Sequence, residues 1–127
     1  MGHVVALELP ANNLSGCLPG GSLERLPKLL VQDLSKNQLQ GEIPTEVEKL
    51  TMLKRLDLSY NDLTGAIPTR IVRNDANGVQ NLRTLQLQHN NLCGALPDTL
   101  CKLIQLSKVS VRGNNLTGCI PTDIGHM

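Results

Sequence analysis

Aromatic side chains are nearly absent from this chain: of 127 residues only Tyr60 is aromatic, and there is no Trp or Phe. That excludes a base-stacking platform for nucleic acid and an aromatic sugar cleft, both of which need several rings. Charge of one sign is also missing. Twelve Lys and Arg face eleven Asp and Glu, for a net charge of +1, with no basic stripe, so no nucleic-acid partner is expected. No apolar run approaches the ~18 residues that span a bilayer, so this segment is expected to make no direct membrane contact. Its N-terminus also lacks the basic, apolar, small-residue order of a signal peptide, so any leader would lie outside it.

Catalytic constellations are missing too. His3, His89 and His126 are scattered, no serine adjoins a His/Asp arrangement, and the glycines follow asparagines instead of forming a phosphate loop ahead of a helix. No catalytic residue, cofactor or metal is expected. The four cysteines, Cys17, Cys93, Cys101 and Cys119, show no C-x-x-C spacing that would hold a metal. Cys17 and Cys119 fall in the same slot of a repeat, four copies apart. At ~4.8 Å per stacked strand that is roughly 19 Å, beyond the ~7 Å Cα limit of a disulfide. They are expected to be free thiols or small apolar fillers.

What the chain does have is one sentence repeated five times, L-x-L-x-x-N-x-L-x-G-x-(I/L)-P. Its asparagines are Asn12, Asn37, Asn61, Asn90 and Asn114, its glycines Gly16, Gly41, Gly65, Gly94 and Gly118, and its prolines Pro19, Pro44, Pro68, Pro97 and Pro121. The asparagines are separated by 25, 24, 29 and 24 residues, in or close to the period of leucine-rich repeats. Alternating apolar pairs such as Leu56 and Leu58 suit a short strand with one buried face, and stacked copies make a parallel sheet. The asparagine can place its amide inside, where it satisfies backbone groups of its own and the adjacent coil. Glycine permits the turn that follows, and proline ends the extended stretch. Beyond the prolines, apolar residues recur every third position (Val47, Leu50, Leu53; Leu100, Leu103, Leu106), which predicts 3₁₀ or short helical turns on an outer edge.

The L-x-G-x-I-P ending resembles plant-type leucine-rich repeats, found in receptor-like kinase ectodomains and polygalacturonase-inhibiting proteins. The resemblance covers essentially the whole chain. It implies an α/β right-handed solenoid with a parallel sheet on the concave face, often a second short strand near L-x-G-x-I-P, and binding of proteins, peptides or small hormones through the concave or lateral face. Residues 1–127 read as a single segment of about five repeats without the family's cysteine-bearing caps, part of a longer array. Uncapped ends expose core, at about 1.5–3 kcal/mol per leucine, so the isolated piece is expected to be marginal or to self-associate through them. Two irregularities stand out: Gln32 occupies a slot for a buried leucine, and a polar set at 73–78 is inserted in repeat 3, expected to project from the outer edge.

Counting back from each asparagine gives four concave rows, including Glu8, Asp33, Asp57, Gln86, Ser110 and Ala11, Lys36, Tyr60, His89, Gly113. Arg55, Asp57, Tyr60, Gln86, Gln88, His89, Lys108 and Arg112 are the candidate partner-binding residues, with Tyr60 and His89 expected side by side. Amides and charges around an aromatic anchor suit a protein or peptide ligand. Asn13-Leu14-Ser15 and Asn115-Leu116-Thr117 are N-glycosylation sequons. They matter in an extracellular or cell-surface parent, a receptor ectodomain or a secreted inhibitor whose catalytic domain, such as a kinase, would lie elsewhere. The alternatives are a cytoplasmic scaffold for protein assembly and a structural spacer.

Overall fold

Each copy of the repeat contributes two short strands, and the same registry recurs from copy to copy. The computed structural model describes residues 2–71 and 81–126. The strands are β1 (Ala6–Glu8), β2 (Ser15–Cys17), β3 (Val31–Asp33), β4 (Gln38–Glu42), β5 (Arg55–Asp57), β6 (Asp62–Thr64), β7 (Thr84–Gln86), β8 (Cys93–Ala95), β9 (Lys108–Ser110) and β10 (Asn115–Thr117). The odd-numbered strands form a five-stranded parallel sheet in the order β1-β3-β5-β7-β9. Leu7, Gln32, Leu56, Leu85 and Val109 are aligned across it, and so are Glu8, Asp33, Asp57, Gln86 and Ser110. The even-numbered strands form the second, lateral ladder, β2-β4-β6 and β8-β10, joined by a bridge between Ala66 and Cys93. This is the second strand that the plant-type resemblance implies.

On the outer edge the three-residue periodicity appears as 3₁₀ turns at Thr45–Lys49, Asp98–Lys102 and Thr122–His126, the first two entered from Pro44 and Pro97 in extended conformation. Repeat 1 instead uses one α-helical turn, Gly20–Leu23. Between sheet and outer edge runs a continuous leucine core in which Leu29, Leu63, Leu85, Leu87 and Leu92 are fully enclosed. The architecture is the α/β leucine-rich solenoid expected from the sequence. At the two ends, Val4, Val5 and Leu9 on one side and Val109, Ile120 and Ile124 on the other are exposed.

The asparagines bind the coils together. Asn37 Oδ1 accepts the N–H groups of Asn12 (3.0 Å) and Leu14 (2.9 Å) from the preceding coil, while its Nδ2 donates to the carbonyls of Leu9 (2.9 Å) and Leu34 (3.0 Å). Asn61 repeats the arrangement with Leu39 N–H and the carbonyls of Leu34 and Leu58, and Asn90 and Asn114 continue it. Each amide thus satisfies bend groups that a leucine would strand without partners. Gly41 shows why the following turn needs glycine: φ is +77°, and a Cβ would stand 3.0 Å from Cys17 Sγ.

Gln32 is buried at 3% exposure between Leu7 and Leu56, and its amide has no hydrogen-bond partner among the described residues. The insertion at 73–78 lies outside the described residues.

Candidate functional site

Concave residues fall into two groups, those whose polar atoms are consumed within the sheet and those whose polar atoms are not. In repeats 2 and 3 the sequence Asp-Leu-Ser closes on itself. Asp33 Oδ1 accepts from the Ser35 N–H (3.0 Å) and hydroxyl (2.7 Å), and Asp57 Oδ1 does the same with Ser59 at 3.1 and 2.6 Å. Their Oδ2 atoms converge on Arg55, whose Nη2 lies 2.9 Å from Asp33 and 3.1 Å from Asp57. Both carboxylates are enclosed, and Arg55 is the lid across them. Asp57, a candidate for partner contact on sequence grounds, is only 4% exposed and has both oxygens engaged inside the sheet. Arg55 keeps an exposed edge but spends its charge on the pair. The signal that could have revealed this is the duplicated Asp-x-Ser beside an arginine two residues before the second Asp.

Repeats 4 and 5 replace this closed unit by Gln86-Leu87-Gln88 and Ser110-Val111-Arg112. Gln86 and Gln88 are half-buried, and Gln88 Oε1 is a buried acceptor without a hydrogen-bond partner. Lys108 and Arg112 are exposed. The parallel pairing sets Lys108 beside Thr84, and the bond from His89 N–H to the Arg112 carbonyl (2.7 Å) sets Arg112 across from the Gln88–His89 step.

The predicted neighbours Tyr60 and His89 are stacked, with ring centroids 4.6 Å apart and planes inclined by 20°. Their row has a backbone signature that the sequence did not disclose. Ala11, Lys36, Tyr60 and His89 all have φ between +55° and +57°, and Gly113 continues the row at +66°. A left-handed conformation at Tyr or His is uncommon and costs of order 1–3 kcal/mol, sustained here by the buried ladder asparagine that follows. It swings the rings onto the concave rim. Gly113 makes room for them, since a Cβ there would lie 2.9 Å from His89 Nδ1. The one legible trace was Gly113 itself, an extra glycine in that slot.

Of the eight candidates, the structure therefore brings Tyr60, Gln86, Gln88, His89 and Arg112 together, with Lys108 at the start of β9; Arg55 and Asp57 lie on the adjoining strand, Asp57 beside Gln86, but their charges are spent on an internal ion cluster. Asn13 and Asn115 are both exposed beside the lateral ladder, as are Ser15 and Thr117 of their sequons. The four cysteines are free, Cys101 being half-buried. Among the described residues there is no group of three or more His, Cys, Asp or Glu placed to hold a metal, and no helix long and apolar enough to cross a membrane.

Comparison with known proteins gives a consistent picture. Two family profiles, both described as leucine-rich repeat, match residues 3–63 and residues 81–103 and 105–127 respectively. No curated protein sequence matches significantly. Among solved structures, a chain of the BIR3–SERK2 complex from Arabidopsis thaliana is 38% identical with a TM-score of 0.84; the match covers 95% of this chain and 62% of that one. The PEPR1–AtPEP1 structure is 35% identical with a TM-score of 0.89, covering 98% and 17%. The Arabidopsis receptor kinase HAESA in complex with the peptide hormone IDA and the co-receptor SERK1 is 35% identical with a TM-score of 0.83, covering 93% and 19%. The chain thus spans less than two thirds of the length of each of these relatives.

Proposed function

The chain belongs to the leucine-rich repeat family in its plant receptor-like form, and from that premise we propose that it is a recognition segment which captures a protein or peptide through its concave face. The parent is read as an extracellular or cell-surface receptor-like or inhibitor protein, in keeping with similar structures described as receptor ectodomains and as complexes with peptide hormones. The observation that carries this reading is the unspent polarity of repeats 4 and 5. Lys108 and Arg112 are exposed there and make no ion pair among the described residues. Arg112 adjoins the Tyr60–His89 shelf, of which Tyr60 is exposed and His89 half-buried. Rigid rings flanked by directional amides and a guanidinium have the composition of interface hot spots.

The alternatives differ in what concave substitutions do. A spacer would leave them silent, whereas a recognition segment loses its partner. The immobilised chain and a Tyr60→Ala/His89→Ala/Arg112→Ala triple variant are presented with the same extract of secreted plant proteins, and retained species are compared by mass spectrometry. A protein or peptide held by the wild type and lost by the folded variant is the expected result. Retention of the same species by both would remove the concave face from recognition. The sequons at Asn13 and Asn115 are proposed glycan sites of the extracellular parent.

A further inference from the structure

The chain as a whole is nearly neutral, with 12 cationic and 11 acidic residues, yet its concave slots in repeats 4 and 5 hold two cations, Lys108 and Arg112, and no carboxylate. The concave acids of repeats 2 and 3, Asp33 and Asp57, are locked beneath Arg55 and cannot neutralise them. Among the described residues neither Lys108 nor Arg112 makes an ion pair or a side-chain hydrogen bond. Along the strand they stand roughly 13 Å apart, with Gln88 about one strand spacing, ~4.8 Å, from Arg112. We infer that this end of the concave face receives an acidic peptide segment, whose Asp or Glu side chains meet Arg112 and Lys108. This rests on the recognition reading above and narrows it to a class of partner.

Charge complementarity asks for carboxylates, because a guanidinium accepts them bidentately and an unopposed pair of cations steers anionic partners. The Tyr60–His89 shelf, kept clear by Gly113, provides an apolar floor beside Arg112.

The test uses a bead library of acetylated, C-terminally amidated dodecapeptides in which chosen positions are Glu, Gln or Lys. Removal of the terminal carboxylate leaves side chains as the only acids. Wild-type chain is expected to retain Glu peptides about tenfold more strongly than their Gln isosteres, a ratio that falls as salt is raised. Lys108→Gln and Arg112→Gln should bring the ratio towards one, and Arg112→Lys should keep most of it. Both positions are exposed, and an unchanged circular dichroism melt verifies folding. Retention without Glu preference, or a preference that survives both charge removals, overturns this inference and leaves peptide recognition standing. Failure to retain any peptide overturns both readings.

Discussion

Two arginines on the same concave face should respond in opposite ways to removal. Arg55 bridges Asp33 and Asp57 at 2.9 and 3.1 Å, and the acidic side chains are only 11% and 5% exposed. In Arg55→Ala both carboxylates stay behind, on adjacent strands ~4.8 Å apart, where an effective dielectric near 20 gives a repulsion of roughly 3 kcal/mol. The Arg55 side chain is itself 40% exposed, so water will screen part of this and the lost attraction counts for less than in a dry site. The expected net loss is about 2–3 kcal/mol, between that of a surface pair and that of a broken buried one. Arg112→Ala removes a side chain with no such partners and should cost less than about 0.5 kcal/mol. The assay is urea unfolding followed by circular dichroism, with the two variants compared at unchanged slope; for a slope of roughly 1–3 kcal/mol/M, Arg55→Ala should move its midpoint by about 0.7–3 M, several times the shift of Arg112→Ala. Equal shifts for the two arginines, or a stable Arg55→Ala, would refute the division of the concave face into a closed and an open half.

Other consequences are as specific. Gln32→Leu places an apolar side chain in a column that has Leu7 on one side and Leu56 on the other, and should stabilise the chain by up to about 1 kcal/mol in the same urea titration. Asn61→Ala strands Leu39 N–H and leaves the Leu34 and Leu58 carbonyls with only their second donors, Asn37 and Asn90, and should cost about 1–3 kcal/mol, with hydrogen exchange fastest at the junction of repeats 2 and 3. Expression through a plant secretory pathway should add an N-glycan at Asn115, seen as an endoglycosidase-sensitive mass increment that Thr117→Ala abolishes.

Much of the fold was legible because the repeat says the same thing five times. A slot filled by Asn, Gly or Pro in every copy reports a backbone requirement, and the strand rows follow by counting from Asn12, Asn37, Asn61, Asn90 and Asn114. The pairing of Tyr60 with His89 could be read in the same way, since the register of a parallel stack is fixed by its ladder. The left-handed backbone of that row could not, because Ala11, Lys36, Tyr60 and His89 are residues that ordinarily avoid it and only Gly113 hints at it. The fate of Asp57 was also hidden. Concave position alone says which way a side chain points, and whether its oxygens remain free depends on Ser59 and on an arginine reaching across from its own strand to Asp33 on the neighbouring one.

The central claim is that the partner sits on the Tyr60–His89 shelf and the open polar groups beside it. Hydroxyl-radical footprinting of the chain, alone and bound to a retained partner, tests it most directly, since the sole aromatic residue is part of the shelf and Met52, exposed beyond the outer turn, serves as internal reference. Oxidation of Tyr60 and His89 should fall several-fold on binding while Met52 is unchanged. Protection of Met52 with Tyr60 and His89 as reactive as in the free chain would place the partner on the outer edge and contradict the account.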